Sequence, residues 1–86
     1  MKYFVYILKS EKNESFYIGQ TNNLSQRIDR HNKGFEKYTK KFTPWKLFFS
    51  TELDSRAKAI TLERKLKNLK SRKKINEWIK NFKQNS

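Results

Sequence analysis

The apolar residues in the first quarter of the chain form two short unbroken runs that lack the spacing of a helix. Positions 3–8 are almost entirely aromatic or β-branched, which predicts a buried strand. A polar, turn-prone segment follows, and residues 15–18 predict a second strand that stops at Gly19. Because the two runs are close in sequence, we expect them to pair as an antiparallel hairpin.

A polar segment with two apolar residues one turn apart follows the hairpin and predicts a helix over 24–33. Either Asn22 or Asn23 can cap its first turn, because an asparagine side chain accepts a hydrogen bond from a free backbone N–H. Gly34 occupies the position at which glycine commonly ends a helix. The next segment, 35–44, mixes lysines with aromatic residues and is expected to be a loop.

The second half of the chain predicts one strand and two helices. Residues 45–51 alternate well enough for a third strand. Asp54 or Ser55 can then cap a helix over roughly 56–69, and Ser71 can cap a last helix. Both helices carry an apolar stripe at three- and four-residue spacing. The stripes consist of Ala59, Leu62, Leu66 and Leu69 in the first helix and of Ile75, Trp78, Ile79 and Phe82 in the second.

The resulting order, β-β-α-β-α-α, predicts an α+β fold in which three strands carry helices on one or both faces. With 86 residues, the chain is long enough for one domain with a small core. We expect that domain to span 1–82 and the polar tail, 83–86, to fray.

Composition narrows the functional classes. Lys and Arg number 21 against 8 Asp and Glu, a net charge of +13, which points to a polyanionic partner and to nucleic acid first. Cysteine is absent, so no disulfide partner is expected, and one histidine makes an ordinary zinc site implausible. No apolar run approaches a membrane span. The N-terminal segment lacks a small-residue cleavage site, so we expect a cytoplasmic protein.

Among the few acidic residues, Glu63 stands apart. At about 100° per residue, it shares a helix face with Ala59 and Leu66 at the edge of the buried stripe. A carboxylate there is half-desolvated. It suits either a functional role or an ion pair with Lys67, one turn later.

Arg27 and His31 lie one turn apart on the predicted helix 24–33, on a face that points toward the sheet edge. A guanidinium can hold a phosphate by two hydrogen bonds, and an imidazole can move a proton near neutral pH. The alternative is a solvated arginine and a hydrogen-bonded histidine at the core boundary. Tyr6 and Tyr17 lie on the two hairpin strands, where they either converge on one sheet face or serve as ordinary strand aromatics.

Cations are concentrated in two segments, 64–74 and 37–41, which contain no acidic residue. Such a run is usually a solvated helix face, but the net charge favours a phosphate-binding surface. The expected nucleic-acid contacts are Arg64, Lys67, Lys70, Arg72, Lys73 and Lys74 on the helices and Lys37, Lys40 and Lys41 in the loop. The loop aromatics either stack on unpaired bases or pack beneath the loop. They are Phe35, Tyr38 and Phe42.

These residues follow a recognisable pattern. The chain resembles the GIY-YIG endonuclease superfamily, and in particular its small stand-alone bacterial members, over residues 3 to about 75. Tyr17-Ile18-Gly19 is an intact YIG, and Phe4-Val5-Tyr6 stands where GIY is expected but lacks its glycine. Asn23-Leu24 followed by Arg27 resembles the family's helix start. His31 matches a position that holds His or Tyr, and Glu63 matches the metal-binding glutamate.

The resemblance implies a three-stranded antiparallel sheet flanked by helices and a metal-dependent phosphodiesterase that acts on DNA. Glu63 would hold Mg²⁺ or Mn²⁺, and Arg27 would stabilise charge on the phosphoryl oxygens. By resemblance, Tyr6 is the general base for the attacking water, with His31 as its helper, and Tyr17 orients substrate or water.

Two further residues are implied at the nucleic acid by the same resemblance. Gly19 keeps the strand end open, and Gln20 stands where many relatives carry a Lys or another polar contact.

Three functions remain open on the sequence alone. A metal-dependent endonuclease with weak sequence specificity is the first, and its DNA can be single-stranded, duplex or branched. The second is a non-catalytic basic module that binds nucleic acid on the same scaffold. The third is an RNA-associated basic protein. Oligomeric state is not encoded in any pattern that we identify.

Overall fold

The hydrophobic strand at the start of the chain becomes the centre of the sheet. In the computed structural model, which describes residues 2–84, β1 (Tyr3–Ser10) lies between β2 (Phe16–Thr21) and β3 (Trp45–Leu53). Both pairings are antiparallel, so the predicted hairpin and three-stranded sheet are confirmed. The prediction that the second strand stops at Gly19 is wrong. Gly19 pairs with Tyr6, and the strand continues for two further residues.

The helices begin where the capping residues predict. The element α1 (Leu24–Asn32) begins after Asn23, whose Oδ1 accepts from the Gln26 N–H at 3.2 Å, and α2 (Arg56–Leu69) begins after Ser55, whose Oγ accepts from the Lys58 N–H at 3.2 Å.

Other predicted boundaries also need correction. The strand β3 ends at Leu53, two residues beyond the predicted end at 51. The segment 35–44 is not entirely loop, because Thr39–Phe42 form a 3₁₀ helix. The last helix, α3 (Arg72–Gln84), continues through two residues of the predicted frayed tail, and 85–86 lie outside the described residues. Within residues 2–84, every helix is too short or too polar to cross a membrane.

Alternate side chains of β1 build two separate cores, because successive residues of a strand point to opposite faces. In the first core, Val5 and Ile7 pack against α2 and α3. In the second core, on the opposite face, Tyr6 and Leu8 pack against Trp45 and α1. The strand β2 forms one edge of this sheet, so it is the place where side chains from the two helical layers can meet.

The last helix completes the first core as predicted. The rings of Trp78 and Phe82 meet Phe49 of β3 edge-on, with centroids 5.6 and 5.4 Å away. Such aromatic contacts add to the area that they bury. Helices thus cover both faces of the sheet. The face that carries Tyr6 also accommodates buried polar side chains.

Candidate active site

Tyr6 lies at the centre of the candidate site and is fully buried. Its ring lies directly over Gly19 in the neighbouring strand: a Cβ atom at Gly19 would be 2.5 Å from Oη and 2.7 Å from Cζ. Real Cβ atoms do not approach other atoms this closely. The glycine of the YIG sequence is therefore needed here as the floor on which Tyr6 lies.

A chain of hydrogen bonds runs from Tyr6 through His31 to the 3₁₀ helix. Tyr6 Oη lies 3.0 Å from His31 Nε2, and His31 Nδ1 lies 2.8 Å from Thr39 Oγ1. The Thr39 hydroxyl donates to the Glu36 carbonyl oxygen, so its own oxygen accepts from Nδ1–H. This arrangement predicts that Nε2 is unprotonated and accepts the Tyr6 hydroxyl proton.

Burial acts on both ends of the Tyr6–His31 hydrogen bond. Desolvation raises the pKa of Tyr6 far above its usual value, a rise that the charge and hydrogen bond of Arg27 oppose. Desolvation also lowers the pKa of His31, and Arg27 and Arg30 lower it further while Glu36 opposes them. Both groups are therefore neutral at physiological pH, as the hydrogen bond requires.

Tyr17 links this buried pair to the edge of the sheet. Its ring centroid lies 4.8 Å from that of His31 and 6.4 Å from that of Tyr6, so the two tyrosines do converge on one sheet face. Burial raises the pKa of Tyr17, while the positive charges of Lys67 and Arg27 lower it. Because Arg27 belongs to α1 and Lys67 to α2, this half-buried phenol lies within the field of both helical layers.

Arg27 is half-buried on the face of α1 that covers the second core. Its guanidinium lowers the pKa of Tyr6 by charge and hydrogen bonding and lowers the pKa of Tyr17 by charge. The chain thus brings Tyr6 and Tyr17 together with His31, which is one of the two alternatives left open for the tyrosines. The charge of Arg27 reaches both phenols.

Glu63 lies on α2 and approaches the same edge from the other layer. Its carboxylate is 17% exposed, and Oε2 pairs with Lys67 Nζ at 2.7 Å. This is the ion pair that the sequence leaves open as the alternative to a functional role. The negative charge of Glu63 also raises the pKa of Tyr17, so the carboxylate lies within electrostatic reach of the site.

The donor set at this edge fits a divalent ion that takes most of its ligands from solvent and substrate. Among residues 2–84 there is no cluster of three or more His, Asp, Glu or Cys side chains. Glu63 is a single, sparsely exposed carboxylate with one oxygen bound to Lys67. Magnesium sites commonly use one or two carboxylates and several waters, which matches this supply of ligands.

The predicted cationic contacts to nucleic acid all lie on the protein surface. Lys37, Lys40, Lys41, Arg64, Lys67, Lys70, Arg72, Lys73 and Lys74 are all exposed. Arg72 donates from Nη1 to the Glu14 carbonyl oxygen at 2.9 Å, which anchors α3 to the hairpin turn. Gln20 is half-buried opposite Val5, so it lies on the face away from Tyr6.

Of the three loop aromatics, one packs beneath the loop and two are exposed. Phe42 is half-buried and packs on the second core, whereas Phe35 and Tyr38 are 65% and 61% exposed. Phe35 lies under the Arg30 guanidinium, and Tyr38 lies beside Tyr17 with ring centroids 6.1 Å apart.

Two positioning residues were missed by sequence reasoning. Thr39 holds His31 in one tautomer. Asn32 accepts from the Trp45 N–H at 2.6 Å and donates to the Trp45 carbonyl at 3.0 Å, which ties the end of α1 to the start of β3. Asparagine is a weak helix former, so its place in the last turn of α1 was a usable signal. Thr39 gave none.

The fold and the site geometry agree with comparisons against known proteins. The family model for the GIY-YIG catalytic domain matches residues 2–76. The chain belongs to the GIY-YIG family. GIY-YIG domains are nuclease domains that act on nucleic acid and generally use a divalent metal ion.

Similar members of the GIY-YIG family are small proteins. The UPF0213 protein CPE1444 of Clostridium perfringens is 41% identical over 73 residues, which are 84% of this chain and 77% of that protein. The UPF0213 protein YazA of Bacillus subtilis is 37% identical over 84% of this chain and 73% of its own length. The solution structure of the UPF0213 protein BH0048 from Bacillus halodurans superposes with a TM-score of 0.60 at 32% identity, covering 93% of this chain and 84% of that one.

Proposed function

We propose that this GIY-YIG protein is a divalent-metal-dependent endonuclease that hydrolyses DNA phosphodiester bonds with weak sequence specificity. One observation carries the proposal. Tyr6 and His31 form a buried hydrogen-bonded pair next to Tyr17 on the edge strand β2. The charges of Arg27 and Glu63 both act on Tyr17, although each belongs to a different helix. A binding module has no need of a desolvated tyrosine–histidine pair beside a recessed carboxylate.

The hydrogen-bond chain gives Tyr6 a route to act as a base without a standing phenolate. As Tyr6 Oη accepts a proton from the attacking water, its own proton passes to His31 Nε2. The Nδ1–H group of His31 stays hydrogen-bonded to Thr39 throughout. The raised pKa of Tyr6 and the lowered pKa of His31 keep both partners neutral before this step. The roles of Tyr6 and His31 thus become complementary.

Arg27 and Glu63 serve the phosphate. Arg27 lies beside Tyr6, so it is suited to move onto the phosphoryl oxygens when DNA binds and to expose the phenol to water. Glu63 would hold the metal ion, which when bound supplies a Lewis acid for the leaving oxygen. Tyr17, between them, orients the substrate.

Weak specificity follows from the distribution of the cations. They lie on the surface, where phosphates can reach them, and contacts to phosphates fix the position of a protein on DNA without reading its sequence. The exposed lysines and arginines of α2 and α3 therefore support binding to many sequences.

The test is a cleavage panel of single-stranded, duplex and branched DNA and of RNA, each with Mg²⁺, Mn²⁺ or chelator. We expect DNA cleavage that requires metal and falls by about 100-fold or more in Glu63→Gln, as when an essential electrostatic group is removed. Glu77→Gln, an exposed glutamate on α3, is the matched control and should cleave normally. Cleavage that survives chelation, or that Glu63→Gln leaves intact, would contradict the proposal.

A non-catalytic DNA-binding module is the second candidate, and two observations favour it. Tyr6 has no exposed surface, so no water touches it in the free protein. Lys67 also occupies one oxygen of Glu63. This candidate predicts salt-sensitive binding without cleavage of any substrate in the panel.

A further inference from the structure

A cavity of about 650 Å³ opens beside the outer edge of β2, between that strand, the junction of α2 with α3, and Tyr38. Its volume falls in the range of roughly 300–1,000 Å³ that is typical of small-molecule sites. Neither Tyr6 nor Arg27 lines it. It is therefore a second space next to the group of catalytic residues.

The walls of this cavity combine two chemistries. Phe16, Tyr17 and Tyr38 contribute aromatic rings, and Leu66 and Ile75 contribute an apolar floor. Three cations, Lys67, Lys70 and Arg72, also line it, and no acidic residue does. Flat apolar surfaces surrounded by positive charge suit a nucleobase with its phosphate attached, since every base offers a π-face for stacking.

Two residues join the cavity to the reacting centre. Tyr17 lines the cavity and lies 4.8 Å, ring to ring, from His31. Lys67 lines the cavity and holds Glu63 at 2.7 Å. A nucleotide in the cavity would therefore lie next to the phosphate that, under the proposed function, binds at Glu63 and Arg27.

We propose that the cavity is a subsite for one unpaired nucleobase of the DNA strand, adjacent to the phosphate that reacts, with Tyr38 as its stacking platform. The inference rests on the proposed function and extends it to a substrate class, namely single-stranded or locally unpaired DNA. A base within a duplex is stacked on both faces and cannot present one to Tyr38 unless it leaves the helix.

Tyr38 is suited to this role because it is held in place and yet open. Its ring is 61% exposed, and it packs against Tyr17 at 6.1 Å and Phe42 at 6.0 Å. The 6.1 Å centroid distance to Tyr17 leaves no room for a base between those two rings, so a base in the cavity would contact the exposed surface of Tyr38. Because the ring is largely exposed, we expect its removal to cost little stability.

The experiment measures binding in chelator, so that cleavage does not enter it. The probes are a single-stranded DNA oligonucleotide carrying 2-aminopurine, the same sequence as a duplex, and the same sequence as RNA, at one fixed salt concentration. We expect the wild-type chain to prefer the single strand and to change 2-aminopurine emission. In Tyr38→Ala we expect affinity for the single strand to fall about tenfold, as for loss of a stacked base.

Two matched comparisons distinguish binding in the cavity from nonspecific binding of DNA elsewhere on the surface. Phe35→Ala removes another exposed aromatic ring that does not line the cavity, and it should keep wild-type binding. Lys70→Asn removes a cavity cation, and asparagine tolerates the left-handed conformation of this residue, whose φ is 55°. Its effect on single-strand affinity should exceed that of Lys74→Asn, which lies outside the cavity.

The outcomes distinguish this inference from the proposed function. Single-strand binding that depends on Tyr38, in a chain that never cleaves, supports the subsite and overturns the nuclease. Equal binding by Tyr38→Ala and Phe35→Ala overturns the subsite even if the chain cleaves. Equal affinity for the duplex, or preference for the RNA, likewise overturns the assignment to unpaired DNA.

Discussion

The ring of Tyr6 lies on the backbone of Gly19, so closely that a single methyl group at Gly19 would fall 2.5 Å from the phenol oxygen. The two residues are cross-strand partners, Tyr6 on the central strand β1 and Gly19 on the edge strand β2. The tyrosine that stands in the first half of the GIY-YIG motif and the last glycine of its second half are therefore one steric unit. The motif is an adjacency in the sheet as well as a pattern in the sequence.

Gly19→Ala should consequently displace Tyr6 from His31. We expect the free energy of unfolding to fall by about 1–3 kcal/mol, the usual cost of inserting a methyl group into a packed core. Cleavage should be lost together with it. Urea unfolding measures the first effect. In a Tyr6→Leu background the same change should cost less, because the atoms that clash are gone, and equal costs in both backgrounds would show that another contact is responsible.

The buried imidazole predicts a pH dependence of stability. The pKa of His31 is lowered below 6.5 in the folded chain, so the unfolded chain binds the proton first as the pH falls. Stability should therefore decline as the pH drops below about 6.5, by at most about 1.4 kcal/mol per pH unit. Urea unfolding from about one pH unit below to about one unit above the ordinary histidine pKa of roughly 6.5 measures how the free energy of unfolding changes with pH. His31→Gln should lack this component, and an identical slope in that variant would contradict the assignment.

The 3₁₀ helix predicts the tautomer of the same histidine. Nδ1 should carry the proton and Nε2 should not, because Thr39 accepts from Nδ1. Nitrogen chemical shifts of the side chain of this one histidine can be read without overlap. Thr39→Val leaves the buried N–H without a partner, and we expect a loss of about 1–3 kcal/mol in stability and a mixture of tautomers. A wild-type spectrum with the proton on Nε2 would reverse the direction of the proton relay.

The local structure was largely predictable because local rules decide it. Apolar runs located the first two strands and alternation located the third. Asn23 and Ser55 accept hydrogen bonds at the starts of their helices, as capping predicts. The end of β2 was misjudged because a glycine usually interrupts a strand, whereas Gly19 stays paired for the sake of Tyr6. The reason lies in a residue 13 positions away, which no local pattern contains.

The residues of the candidate site could be predicted, but their hydrogen-bond and ion-pair partners could not. Periodicity left the placement of Tyr6 and Tyr17 open, and the family resemblance assigned them with Arg27 to one site; the structure brings the two tyrosine rings together, with the charge of Arg27 acting on both. The partners that determine their protonation could not be read in advance. Thr39 contacts His31 because it lies on the 3₁₀ helix, which was not predicted. The ion pair with Lys67 was one of two alternatives that the sequence left open for Glu63.

The Glu63–Lys67 ion pair predicts competition between the lysine and a metal ion. Lys67→Met frees the carboxylate, and we expect Mn²⁺ to bind about fivefold more tightly in the absence of DNA, in line with an exposed pair worth up to about 1 kcal/mol. Water proton relaxation by Mn²⁺ measures this affinity independently of cleavage. Lys58→Met breaks the comparable pair with Asp54 on the same helix and is the control. Unchanged or weaker Mn²⁺ binding in Lys67→Met would show that the lysine does not compete.

The excess positive charge predicts how salt weakens DNA binding, and the ion pairs decide which lysines contribute. Lys73 and Lys74 are exposed on the first turn of α3, whereas the Lys58 ammonium is already paired with Asp54 at 3.1 Å. A lysine that contacts a phosphate releases counterions, so each loss should reduce the slope of log affinity against log salt by about 0.9 for duplex or about 0.7 for single strands. Lys73→Gln and Lys74→Gln should each lower the slope measured by fluorescence anisotropy, and Lys58→Gln should leave it unchanged. Equal slopes for all three variants would place the DNA on a different face of the protein.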